Sequence, residues 1–355
     1  MPLQQLKISE FRCLRSAELA PEPHYNLIYG ENASGKTSLL EAIAYLGRGK
    51  SFRGATTQNL VRHGAGELLL LGRVTTEARV STVGVRNSSK GLEVKIDGER
   101  AQGSASLAAL LPLQVIGPDI HNLVAGGPDE RRRHLDWIAF HVERGYLDVW
   151  RRYRRVLKQR NAVLREGADK RSLASWDQEF IDSALLVDAS RRQITDLANV
   201  AIQATGESLL GHPVRIEYRS GWALDQTLEE ALGLSFSRER DIGVTQVGPH
   251  RADLKLVIEE RQARRLVSRG QQKLLACALI LTAAELVQAH LERPLLLLMD
   301  DPAAELDNNS LSRLMTSVTA LGCQVIATSL EPDAHLFPAD PALFHVERGN
   351  LVKLV

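Results

Sequence analysis

Cysteine is scarce: three stand in 355 residues, Cys13, Cys277 and Cys323, far apart and with no C-x-x-C spacing. That pattern builds no disulfide framework, and the three are expected as reduced, packed thiols of a cytoplasmic protein. Long apolar runs are also missing. The longest, Leu274 to Val287, has 14 residues and includes Thr282 and Glu285, which is too short to cross a bilayer and is expected to be a buried core helix. The opening MPLQQLKISEF lacks the basic-then-apolar plan of a secretory signal. No internal repeat, low-complexity tract or sustained heptad is present. The net charge is only +1, so bulk charge designates no partner.

What remains is an ordinary globular composition, 44% hydrophobic and 25% charged, in a chain long enough for two domains or one large domain with a smaller one. Charge is unevenly spread. Residues 131 to 171 carry 13 Lys/Arg against 5 Asp/Glu, a local net of +8, which suits a surface for a polyanion.

Hydrophobic periodicity divides the chain. LQQLKISEF (3–11) alternates like a half-buried strand, NLIY (26–29) is a short strand, and TSLLEAIAYLG (37–47) has helical spacing. ELLLLGRV (67–74), ARVSTVGVR (78–86) and GLEVKIDG (91–98), separated or ended by turn residues, predict antiparallel hairpins. From Gly127 helices dominate. One starts at GGPDERRRHLDW with Pro inside its first turn and acids beside it. A second covers 146–166, and a long third from about 172 to 210 is either continuous or broken. VRIEY (214–218) is a strand among them. Strands return with DLKLVIEE (253–260), PLLLLMDD (294–301), CQVIATS (323–329) and the hairpin ALFHVERGNLVKLV. The fold class this predicts is α/β: a head assembled from 1–120 and 241–355, interrupted by a helix-rich insertion at 121–240.

GENASGKT (30–37) fits G-x-x-x-x-G-K-[ST] between a strand and a helix. Its glycines let successive N–H groups turn inward around phosphates, Lys36 neutralises the β/γ oxygens, and Thr37 can bind Mg²⁺. Gly30, Asn32, Ser34, Gly35, Lys36, Thr37 and Ser38 are the candidate ATP-binding residues. The strand LLLLMDD presents Asp300 at its carboxyl end as a Mg²⁺ ligand, and Asp301 beside it as the group that orients or deprotonates an attacking water. Asp301 and Lys36 are thus the catalytic candidates. A second phosphate-gripping turn, SRGQQK (268–273), begins a helix more than two hundred residues later. Standing alone, it reads as an ordinary helix cap before it reads as a phosphate grip.

GENASGKT, SRGQQK and MDDPAAELD, in that order around a large insertion, resemble the ATP-binding-cassette heads of DNA-repair proteins. The opening LxISEFRCL, with GKSFRG (49–54), LPLQVIGPD (111–119), GGPDERRRHLDW (126–137), KQRNAVLRE (158–166), VGPHRADL (247–254) and SRGQQKLLACAL (268–279), narrows the resemblance to the RecF family of bacterial recombination mediators, over nearly the whole chain. The resemblance implies a P-loop NTPase of ATP-binding-cassette type with an antiparallel β subdomain and an inserted arm. It implies that Ser268, Arg269, Gly270 and Gln271 contact the ATP of a second subunit in a head-to-tail homodimer. Gln114 becomes a Q-loop residue sensing Mg²⁺, and Asp307 a D-loop residue at the dimer interface. It further implies a slow, DNA-stimulated ATPase acting as a switch, at single-strand/double-strand junctions, with RecO and RecR in loading RecA at gaps. Four positions depart from the superfamily pattern. Arg269 and Ala33 replace glycines, Asp301 replaces a glutamate, and Ser329 stands where transporters have a switch histidine, with His335 several residues beyond. The shorter carboxylate and missing histidine predict slow turnover.

In WRRYRRVLKQRNAVLR (150–165), Trp150, Tyr153, Leu157 and Leu164 share one helical stripe, while Arg151, Arg154, Arg155, Lys158 and Arg165 lie on the other face. That face is either merely solvated or a contact for the duplex-DNA backbone, which would be sequence-independent and salt-sensitive. Arg251 is open in the same way. A transporter cassette would instead couple to a membrane permease, a cohesin-like ATPase would need a long coiled coil, and a small-molecule kinase would leave SRGQ and AAELD without a role.

Overall fold

The computed structural model describes the chain except residues 1, 55, 77–78, 102, 168–169, 305, 334–336 and 355, and the side chains of 57, 170, 265 and 266. It divides into two compact units, Met1–Ile120 with Leu279–Val355, and His121–Ala278.

The first unit holds two six-stranded sheets. One is antiparallel, in the order Leu14–Leu19, Leu3–Phe11, Glu67–Thr75, Val80–Ser88, Gly91–Ile96, Glu99–Arg100. Along Glu67–Thr75 buried and outward-facing residues alternate, as a sheet with one covered face requires. The other sheet runs Asn350–Lys353, Ala342–Glu347, Tyr25–Tyr29, Gln324–Ser329, Leu296–Met299, Leu113–Ile116. Its last five strands are mutually parallel, and only the Asn350–Lys353 edge is antiparallel. Leu296–Met299 is buried at every position, which is why its sequence is an unbroken apolar run.

Helix Lys36–Arg48 packs against both sheets. Leu39, Leu40, Ala42, Ile43, Ala44 and Leu46 are all buried around its circumference, so it forms part of one core with Leu3, Leu70, Val85, Leu298 and Ile326. A charge enters this core only when paired. Glu41 is fully buried and accepts from Arg12 Nε at 2.8 Å and Nη2 at 2.9 Å, the bidentate geometry that offsets desolvation best.

The second unit is built from helices Pro128–Val142, Tyr146–Arg165, Lys170–Leu210 and Leu228–Ile242. It also contains a three-stranded sheet, Arg261–Gln262, Asp253–Ile258, Val214–Arg219. The long third helix is continuous over 41 residues. Asp253–Ile258, placed by the sequence in the second half of the head, pairs antiparallel with Val214–Arg219 over six residues, and Arg131 clamps Asp253 at 2.7 and 3.2 Å. The motifs GGPDERRRHLDW and VGPHRADL therefore meet. Arg131 also donates to the carbonyls of Leu123, Val124 and Gly126, and Arg132 to that of Ala252.

Helix Arg269–Leu291 carries the chain from the second unit into the first. At 23 residues it is long and apolar enough to cross a bilayer by length and composition. The shortness of the apolar run therefore does not decide its environment. Burial does: Leu275, Ala276, Ala278, Ala283, Ala284 and Val287 are all fully buried in the fold.

Candidate functional site

The parallel strands end in register. Tyr29 pairs with Ser329, and Met299 with Ala327 and Ile116, so the residues following them share one edge of the sheet, where α/β folds place ligands. From Tyr29 the chain turns through Gly30 and enters helix Lys36–Arg48, with Gly35 at the N-cap in a left-handed conformation (φ 118°). A Cβ on Gly30 would stand 2.3 Å from the carbonyl oxygen of Val346, so only glycine fits there. The closing hairpin braces the turn a second time, Gly349 N donating to Ser34 O at 2.8 Å. Ala33, where the wider pattern has glycine, adopts φ 62°, a conformation costly for a residue with a Cβ.

Inside this cradle Lys36 is 8% exposed, and its Nζ donates to the carbonyls of Gly30 at 2.6 Å and Glu31 at 2.9 Å. Burial lowers its pKa, while Asp301 and then Asp300 oppose that shift. Thr37 Oγ1 donates to Asp300 Oδ1 at 3.0 Å, and Thr328 Oγ1 donates to the same oxygen at 2.9 Å. Asp301 N donates to Thr328 Oγ1 at 2.9 Å. Burial, and then the neighbouring Asp300 charge, raise the Asp301 pKa from its ordinary value, which makes it a better proton acceptor.

The residues fit a nucleotide phosphate. Ser34 Oγ is buried without a hydrogen-bond partner among the described residues, an orphan polar group of the kind a ligand satisfies. The Thr37 hydroxyl and Asp300 carboxylate, in contact at 3.0 Å, would suit a magnesium ion completed by phosphate and water. Among the described residues no group of three or more His, Cys, Asp or Glu could hold a metal by itself.

Gln114 is elsewhere. It is buried on strand Leu113–Ile116, two residues short of the shared edge, and its Oε1 faces Arg48 Nη2 at 3.4 Å. Arg48 ends the helix that Lys36 begins, and at 1.5 Å per residue Thr37 and Arg48 are about 16 Å apart. The assignment of Gln114 to the magnesium site is therefore corrected. The loop that reaches the shared edge is Gly117–Pro118–Asp119, since Asp300 N bonds Ile116 O. Ser329 turns its hydroxyl to the carbonyl of Glu331, and His335 lies outside the described residues. The sequence reading missed Thr328. Its signal was a threonine at the penultimate position of a strand adjacent to LLLLMDD.

The second phosphate turn is exposed and closed on itself. Ser268 Oγ accepts from Gln271 N at 3.3 Å and Gln271 Oε1 accepts from Ser268 N at 2.9 Å, a capping box. Arg269 and Gly270 are exposed, and a Cβ on Gly270 would meet nothing within 4 Å. Asp307 caps helix Asn308–Leu321, accepting from Ser310 N at 3.0 Å and Ser310 Oγ at 2.7 Å. These bonds lower its pKa.

On helix Tyr146–Arg165, Tyr153, Val156, Leu157 and Leu164 are buried while Arg151, Arg154, Arg155, Lys158 and Arg165 are all exposed. Trp150 is half-buried, with the Arg154 guanidinium 5.4 Å from its ring centre. Arg152 is taken by Glu179 at 2.5 and 2.7 Å. Arg155 and Lys158 have no ion-pair partner among the described residues.

A cassette-type nucleotide cradle beside an antiparallel sheet defines the class: residues 2–340 match the RecF/RecN/SMC N-terminal domain family. Within that class the chain belongs to the RecF family. It is 38% identical over 356 residues to the DNA replication and repair protein RecF of Shewanella baltica, covering 99% of each chain. With RecF of Shewanella amazonensis the identity is 39% over 358 residues, again with 99% coverage of both. The fold is similar to a solved structure of the recombination mediator protein RecF with ATP in the RecFOR pathway, with TM-score 0.90 at 24% identity, covering 100% of this chain and 98% of that one. It is also similar to the Smc head domain of Pyrococcus furiosus bound to the C-terminal domain of ScpA, with TM-score 0.62 at 16% identity, covering 100% and 96%.

Proposed function

We propose that this chain is an ATP-dependent, DNA-binding mediator of recombinational repair. In this reading the first unit is the ATPase head and the second an arm. ATP binds in the GENASGKT cradle, with Gly30, Asn32, Ser34, Gly35, Lys36, Thr37 and Ser38 around its phosphates. Thr37 and Asp300 hold Mg²⁺, which when bound screens phosphate charge. Asp301 takes the proton of the attacking water. The site is completed in trans: Ser268, Arg269, Gly270 and Gln271 of one subunit cap the ATP of another in a head-to-tail dimer, with Asp307 at the interface. DNA runs along Arg151, Arg154, Arg155, Lys158 and Arg165, and slow hydrolysis reopens the dimer and releases it. RecR and RecO, and through them RecA at gapped DNA, are the partners the family implies.

The observation that carries the trans step is Gly270. A glycine in a helical turn costs about 1 kcal/mol relative to alanine, and nothing among the described residues requires one there. A close approach by something outside the chain would require it, and the open helix start beside it favours an anion.

The test is ATP turnover with and without duplex DNA. The reading expects turnover on the order of minutes or slower, stimulated by DNA and absent in Lys36→Met. Turnover indifferent to DNA would remove the coupling.

A further inference from the structure

Helix Tyr146–Arg165 turns its cationic stripe along one line. At 100° per residue Arg154, Arg165, Lys158, Arg151 and Arg155 fall within about 100° of one another, opposite Tyr153 and Leu164. Between Arg151 and Arg165 the stripe is about 21 Å long. One flank is closed by Arg152 on Glu179. The other flank carries Asn161, whose Oδ1 accepts from Thr245 N at 2.8 Å and from Thr245 Oγ1 at 2.6 Å. Thr245 leads directly to the turn Pro249–Arg251.

That turn is fixed to the helix. Tyr153 OH lies 2.7 Å from His250 Nδ1 and accepts from His250 N at 3.1 Å, while His250 Nε2 lies 2.9 Å from Thr245 O. A carbonyl can only accept, so Nε2 carries the proton, and in the neutral ring that burial favours, Nδ1 accepts from the tyrosine. Burial holds the His250 pKa down at about 4, with a smaller push from Arg251, Arg132 and Arg154. Next to this neutral ring Arg251 is exposed, its Nη2 making only a long 3.5 Å contact with Thr245 O. Arg132 reaches the same turn from helix Pro128–Val142, donating to Ala252 O at 2.6 Å. Arg251 and Arg132 thus meet at this turn, Arg132 with its other arm on Asp129, while Arg154 stands on the helix that Tyr153 ties to the turn; among the described residues no carboxylate pairs with Arg251 or Arg154.

We propose that Arg251 and Arg154, backed by Arg132, form a clamp for a single backbone phosphate of duplex DNA, set beside the helical stripe by the Tyr153–His250 lock. The inference rests on the DNA-binding reading of that helix and adds a second wall to it. A guanidinium fork grips a phosphate through two parallel bonds where an ammonium offers only a point charge. A clamp locked by buried hydrogen bonds fixes the register of a duplex that the long flexible side chains of the stripe would let slide.

The experiment is duplex-DNA binding by the full chain across a salt series, comparing Arg251→Ala, Arg251→Lys and the double variant Arg155→Glu/Lys158→Glu. Thermal unfolding of each variant checks the fold. Arg251→Ala is expected to weaken binding by about tenfold and to lower the log–log salt slope by about 0.9, the loss of one phosphate contact. Arg251→Lys is expected to keep the slope and lose part of the affinity. If the double variant weakens binding while Arg251→Ala changes neither affinity nor slope, the clamp is wrong and the helical surface stands. If the double variant also binds as the unchanged protein does, the DNA reading of the helix itself falls, and the clamp with it.

Discussion

At the scale of single residues, Gly270 separates folding from assembly. Its Cβ position is open, so Gly270→Ala is expected to leave the fold intact and stabilise it by up to about 1 kcal/mol, while ATP-dependent association weakens by tenfold or more. Calorimetry and sedimentation of the same sample check both halves, and unaltered association would mean that nothing approaches that turn. Asp301 has a related signature. Its pKa is raised in the fold by burial and by Asp300, so its ionised form is less favoured in the folded state than in the unfolded chain. The stability it contributes is present below its unfolded pKa and is lost as pH rises through the raised value. At neutral pH Asp301→Asn is therefore expected to raise the melting temperature while abolishing turnover and leaving ATP binding in place. A variant less stable than the unchanged protein at pH 7, but equal to it at pH 4, would contradict the sign.

At the scale of elements, the second unit is held by buried arginines rather than by apolar packing alone. Arg160 is 1% exposed and joins Asp177, Glu239 and Thr245 at 2.7 to 2.9 Å. Arg191 ties Asp136 to Pro249 O. Histidines lock the same unit in neutral form. Burial lowers His134 to about 4, and His250 is likewise near 4. Both fold with fewer protons than the unfolded chain, so the stability they contribute is present above the ordinary value of 6.5 and is lost as pH falls toward 4. Imidazole nitrogen shifts of these two rings are expected not to titrate above about pH 5, and titration near 6.5 would show that the lock is absent. The sequence made the helices of this unit legible, because caps such as Gly127-Pro128 and the 3.6-residue spacing are local. It did not make legible that Arg131 meets Asp253 or that VGPHR closes on Tyr153, since those pairings join segments about a hundred residues apart. The same limit misplaced Gln114. The family resemblance put this glutamine at the magnesium site, but which end of the neighbouring helix it faces depends on register that only the assembled sheet fixes. Thr37 and Asp300 were legible because each is tied to its own motif, and their 3.0 Å contact joins the ends of two strands on one sheet edge, with Gln324–Ser329 between them.

At the scale of the whole molecule, the chain carries a nucleotide cradle with a complete floor and an exposed, self-capped turn that has no use for its own glycine. The central claim is that these are the two halves of one site and that the halves belong to different molecules. The most direct measurement is sedimentation with ATP of Lys36→Met alone, Ser268→Arg alone, and the two mixed in equal amounts. Neither variant alone has an intact pair of halves. The mixture has one, formed by Lys36 of the Ser268→Arg chain and Ser268 of the Lys36→Met chain. The account predicts monomers for each variant alone and an ATP-dependent dimer on mixing. A Ser268→Arg chain that dimerises with ATP on its own as the unchanged protein does, or a mixture that stays monomeric while the unchanged protein dimerises, would contradict it.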